Sequence, residues 1–141
     1  MKKSNTLGSI ILASFFLILA FGSTDDSESI EATSVANAAP DFRISAKELY
    51  SEYDANGVAA DLKYKGKILA VTGTVDNIDK DIMDDIYVTL EGDDFIGSIQ
   101  CFFADSHVGE AASLRKGQTL TIKGQCNGQL MNVLLKGCVI E

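Results

Sequence analysis

A mainly β chain is predicted: a five-stranded barrel of the OB type preceded by one capped α-helix. Three observations predict it. From Lys63 onward, apolar residues recur with a period of two in five short runs. Gly73 sits midway along the first and longest run, where a glycine marks a bulge or a sharp bend. A longer connector follows the third run, and closure of five such strands leaves no open edge in a domain of about 100 residues. An open five-stranded sandwich of other topology is the alternative.

The 141 residues suffice for one domain, and the first segment stands outside it. Lys2 and Lys3 precede a nearly unbroken apolar run, 7–21, which ends in Gly22-Ser23 and then Asp25-Asp26. A basic start, a short apolar stretch and small residues after it describe a secretory signal peptide, with Ala20-Phe21-Gly22 as a small-x-small cleavage site. The run is shorter than the roughly 20 residues that span a bilayer comfortably. Residues 1–22 are therefore a signal peptide or a retained N-terminal membrane anchor, and the remainder is exported to the periplasm or beyond. Residues 23–41 mix Ser, Thr, Ala and acids without periodicity and read as a flexible acidic tether, leaving 42–141 as the folded domain.

The domain opens on a helix over 45–54. Ser45-Ala46-Lys47-Glu48 is a capping box, and Ile44 with Leu49 forms the matching hydrophobic staple. Asn56-Gly57 is a left-handed stop, and 58–61 adds a further turn. Strands are expected at 68–78, 86–90, 95–103, 119–125 and 131–140, with a helical turn or two near 110–114 in the connector. The turn 91–94 separates the second strand from the third. Asn127-Gly128 is the hairpin signal between the last two.

The run Ser45-Ala46-x-Glu48-Leu49-Tyr50, Tyr53-x-x-Asn56, Ala60-Asp61-x-Lys63-Tyr64-Lys65-Gly66-Lys67 and Val71-Thr72-Gly73-x-Val75 is similar to that of bacterial tRNA-anti-like OB-fold proteins. Gln100-Cys101-x-Phe103, Lys116-Gly117-Gln118, Ile122-x-Gly124-x-Cys126-x-Gly128 and Cys138-x-Ile140 extend the resemblance over about 44–140. It implies an exported barrel that binds nucleic acid by analogy of fold, which is a weak warrant for function. Many members look like lipoproteins, but no cysteine follows the apolar run of this chain, so acylation at a cleavage-site cysteine is closed to it. The resemblance carries no catalytic pattern.

Charge argues against a polyanionic ligand. The chain has 12 basic and 20 acidic residues, a net charge of -8. Without residues 1–22, which hold two lysines and no acid, the domain is more acidic still. Such a field repels phosphate backbones. The turn between the first two strands, where single-strand binders place cations and aromatics, carries Asp76, Asp79, Asp81, Asp84 and Asp85 against Lys80 alone. The spacing is not that of a calcium loop, and a solvated, aggregation-resistant turn is the expectation. Strand alternation points Tyr87, Thr89, Ser98, Gln100 and Phe102 outward. Aromatic rings amid hydroxyls and amides suit an oligosaccharide or peptide, unless the helix or tether covers them. Lys63, Lys65 and Lys67 form the one basic cluster and are the phosphate contacts if the ligand is a single-stranded nucleic acid.

Three cysteines permit at most one internal bridge. In an OB barrel the third and fifth strands run parallel at closure, which sets Cys101 and Cys138 at similar heights. If a bridge forms it joins those two, with Cys126 left over. The single histidine, His107, supports neither a zinc site nor a Ser/His/Asp constellation, and no phosphate loop occurs. The expectation is a non-catalytic binding module of the cell envelope without cofactor or metal, its partner a glycan, peptide or protein. A single-stranded nucleic-acid binder is the alternative, and the membrane is touched only through the N-terminal segment.

Overall fold

The computed structural model describes residues 32–93 and 97–141. The signal or anchor segment, the first part of the tether, Asp94 at the end of the expected turn, and Phe95 and Ile96 at the start of the third expected strand lie outside the described residues. Along the chain come α1 (Ala32–Asn37), β1 (Phe42–Ser45), α2 (Ala46–Ala55), α3 (Gly57–Tyr64), β2 (Ile68–Lys80), β3 (Ile86–Glu91) and β4 (Ser98–Phe103). A 3-10 turn (Asp105–His107), α4 (Val108–Ala112), β5 (Thr119–Leu130) and β6 (Asn132–Ile140) complete it.

The strands β2-β3-β4-β6-β5 close into a barrel through a second pairing of β2 with β5. All these pairings are antiparallel except β4 with β6. That parallel joint, required because β6 returns beside β4 after the excursion through α4 and β5, is the crossover expected of an OB barrel and excludes an up-and-down order. Inward residues fill the barrel with Leu69, Val71, Val88, Leu90, Ile99, Cys101, Ile122 and Leu135, all fully buried.

α2 begins as its sequence dictates: the Ser45 hydroxyl accepts from the Glu48 backbone N–H at 3.1 Å. Ala46, Leu49, Tyr50 and Tyr53, one helical stripe, are buried. The stripe explains Gly73. A Cβ there would lie 2.8 Å from the Ala46 Cβ and 3.1 Å from that of Leu90. The glycine therefore lets the first turn of α2 press on the sheet, and the ladder irregularity itself falls two residues later, between Val75 and Asn77.

Four features depart from the sequence expectation. Asn56 is extended rather than left-handed; it ends α2 and its side chain caps α3, accepting from the Ala59 N–H at 3.1 Å. The added turn is thus a second helix, tied to α2 by Tyr53 to Asp61 (2.9 Å) and Tyr64 to Glu52 (2.8 Å). A sixth strand, β1, lies outside the barrel, parallel to β2. Asn127-Gly128 is not the hairpin tip: β5 continues to Leu130, the chain reverses at Met131 (φ 68°), and Gly128 (φ 87°) sits within a bulge. A positive-φ glycine serves a turn and a bulge equally, so the dipeptide alone does not distinguish them.

The last departure concerns the tether. Residues 32–41 are docked, not free: Val35 is fully buried, and Asp41 exchanges hydrogen bonds with Ile68, N–H to carbonyl at 2.7 Å and carboxylate from N–H at 2.8 Å. Among the described residues no helix is long and apolar enough to cross a membrane.

Candidate ligand-binding face

The outer surface of β3, β4 and β6 assembles from the strand registers. Asp79 pairs with Tyr87 and Tyr87 with Phe102, making one row across the sheet. The next row is Asn77, Thr89, Gln100 and Leu134, and Glu91 with Ser98 follows. The five residues expected to point outward do so, while Val88, Leu90, Ile99, Cys101 and Phe103 are buried on the other side. Ile86, which the same alternation turns inward, is only half-buried because it lies at the barrel's end.

The rings of Tyr87 and Phe102 meet with centroids 5.7 Å apart at 56°, a tilted geometry that aromatic quadrupoles favour. The Lys136 ammonium stands over the Phe102 ring at 5.2 Å. Asn132 Nδ2 donates to Gln100 Oε1 at 3.3 Å, which orients the amide on the face. Thr89 is 7% exposed, and its hydroxyl is buried with no hydrogen-bond partner. An unpartnered buried hydroxyl costs about 1–3 kcal/mol.

The acidic turn adjoins this face and is organised internally. Asp81 Oδ1 accepts from the backbone of Met83 (2.8 Å) and Asp85 (3.0 Å). Lys80 Nζ lies 2.8 Å from Asp84 Oδ1. Turn formation thus occupies Asp81 and Asp84 without any ligand. Among the described residues no group of three or more His, Cys, Asp or Glu is gathered as metal ligands.

Lys63, Lys65 and Lys67 are not brought to this face. They lie where α3 passes into β2, at the opposite end of that strand from the acidic turn. Lys63 is already committed, 3.1 Å from Glu52 and 4.9 Å from the Tyr64 ring centroid. Cys101 and Cys138 are fully buried thiols whose side chains meet, and burial pushes the Cys138 thiol well above its ordinary range. Cys126 stands apart, 3.4 Å from the Tyr53 hydroxyl. Lys136, Asn132 and Asp79 belong to the face but were not legible as such. The hairpin tip at Met131, not at Asn127-Gly128, is what aligns Asn132 with the start of β4.

A model of the family described as tRNA_anti-like matches residues 1–139. The chain belongs to the tRNA_anti-like family. No curated protein matches it. Among solved structures, this tRNA_anti-like chain is similar to the crystal structure of a putative nucleic acid-binding lipoprotein from Klebsiella pneumoniae subsp. pneumoniae MGH 78578. The TM-score is 0.59 at 19% identity, covering 77% of this chain and 96% of that one. At that identity the likeness is one of fold, consistent with the barrel of this tRNA_anti-like protein.

Proposed function

We propose that this tRNA_anti-like protein is a non-catalytic binding module of the bacterial cell envelope, taking its ligand on the outer face of β3, β4 and β6. The observation that carries this is the buried Thr89 hydroxyl, unpartnered beside the Tyr87–Phe102 pair. A buried hydroxyl without a partner in the fold leaves one hydrogen bond for a molecule from outside it, an ordered water or a ligand. The neighbouring charges favour a neutral or cationic ligand: Asp79 flanks Tyr87 and the acidic turn follows, with Lys136 the cation seated on Phe102. A glycan, a peptide or a segment of another envelope protein meets that description. The lipoprotein nature of the Klebsiella protein supports export.

Single-stranded nucleic acid is the second reading, favoured by the name of that neighbour and by the aromatic pair, since bases stack on such rings. Titration of an oligodeoxythymidine at low salt separates the two, because counterion release then favours binding most. The expected result is no binding. Envelope extract passed over the immobilised domain is expected to yield a partner that the Phe102→Ala variant fails to retain. Micromolar binding of the oligonucleotide that weakens steeply with salt would reverse the order of the two readings.

A further inference from the structure

Cys101 and Cys138 meet across the parallel joint of the barrel, and they do so by a specific device. β4 and β6 pair Cys101 with Leu135 and Phe103 with Cys138, so β6 carries one residue more than β4 between those pairs. Regular alternation from the buried Val133 and Leu135 would turn Gly137 inward and Cys138 outward. The bulge reverses this: Gly137 takes φ 64°, a value glycine accepts readily, and Cys138 swings into the core beside the Cys101 thiol. β5 makes room for it, since a Cβ on Gly124 would lie 2.5 Å from the Cys138 sulfur. Both cysteines are fully buried. Cys126 pairs with Leu135 from the other side and is engaged by Tyr53.

We infer that Cys101 and Cys138 form a disulfide that fastens β4 to β6 when the chain folds in an oxidising compartment, with Cys126 remaining a thiol. The oxidant is an external disulfide of the glutathione or thiol–disulfide oxidoreductase class. One cysteine thiolate attacks it, releasing one thiol and leaving a mixed disulfide. The second cysteine sulfur then displaces the other half. One Sγ–Sγ bond forms and the oxidant's sulfur–sulfur bond breaks. Two electrons reduce the oxidant, and the two cysteine protons pass to its departing thiolates. Burial disfavours the Cys138 thiolate in the closed barrel, which confines the exchange to the folding or opened chain. This inference stands independently of which ligand the outer face takes.

The test is refolding of the reduced, full-length chain in a glutathione buffer of oxidising ratio, followed by alkylation in denaturant and tryptic digestion without reduction. Cleavage after Arg115, Lys123 and Lys136 places the three cysteines on three peptides. The expected product links the Cys101 and Cys138 peptides and leaves Cys126 alkylated. The oxidised protein is expected to melt about 10–20 °C above the reduced one. Three alkylated peptides, a glutathione adduct on either core cysteine, or any linked species containing Cys126 would overturn the inference.

Discussion

Lys123 on β5 donates from its ammonium to the carbonyl oxygen of Ala38, 2.7 Å away. A second bond reaches the Ala36 carbonyl at 3.0 Å. The lysine is 8% exposed, so its charge is solvated by the last turn of α1 and the residue after it rather than by water. Lys123→Met keeps the aliphatic stem and removes the donor. It should lower stability by about 1.5–3 kcal/mol, the worth of hydrogen bonds to a charged group. It should also release residues 32–41 to faster amide exchange, which hydrogen-exchange mass spectrometry reads directly. Unchanged protection of that segment would show that Val35 and the Asp41–Ile68 bonds hold it without the lysine.

Glycine positions separate crowding from conformation. Gly73→Ala drives a methyl into Ala46 and Leu90 and should destabilise by about 1–3 kcal/mol. Gly109→Ala, in α4, meets nothing within 4 Å and should be neutral or stabilising by up to about 1 kcal/mol. Urea unfolding of both variants beside the parent checks the pair.

Thr89→Val replaces the unpartnered hydroxyl by a methyl of nearly the same shape. The variant should be more stable by about 1 kcal/mol while retaining less of any ligand on the outer face. A loss of stability on this substitution would mean that the hydroxyl is satisfied in the free protein.

Acid sensitivity should trace in part to Glu110. Its carboxylate accepts from the Ile140 N–H at 3.0 Å and lies 2.9 Å from His107 Nδ1. The Ile140 contact holds its pKa below the ordinary value; burial opposes it, and the His107 contact adds a lesser lowering. A folded-state pKa below the unfolded one contributes stability that is fully present above the unfolded value, about 4.3. That contribution is lost as pH falls through the folded value. Glu110→Gln should therefore flatten the stability profile below about pH 4.5 and leave its shape near neutrality unchanged. Thermal melts across that range decide it.

Local chemistry made much of this fold legible. The Ser45 cap, the 46-49-50-53 stripe and the alternation of β3 and β4 are each written within a few residues of where they act. The missing parts depend on distant partners. α1 looks like tether because its anchor, Lys123, lies 87 residues beyond Ala36 along the chain. β1 has four residues, too few to show a period, and pairs with β2 across two helices. On the outer face, alternation selects Tyr87, Thr89, Ser98, Gln100 and Phe102. It says nothing of Asp79, Asn132 and Lys136, which arrive by cross-strand register. The inward turn of Cys138 needed the Gly137 bulge, which no spacing rule announces.

Charge along β2 is segregated. Lys63, Lys65 and Lys67 stand before its first residue, while Asp79 and the acidic turn stand at its last. Thirteen residues correspond to about 40 Å of strand path, several times the roughly 8 Å over which exposed charges are felt at physiological ionic strength. Each end of the molecule is therefore screened from the other. A partner arriving at the outer face meets Asp79, Glu91, Lys136 and the adjoining acidic turn, and one arriving at the α3–β2 corner meets the exposed Lys65 and Lys67 beside a Lys63 already paired with Glu52. The protein is electrostatically two-ended, and its net charge of -8 describes neither end.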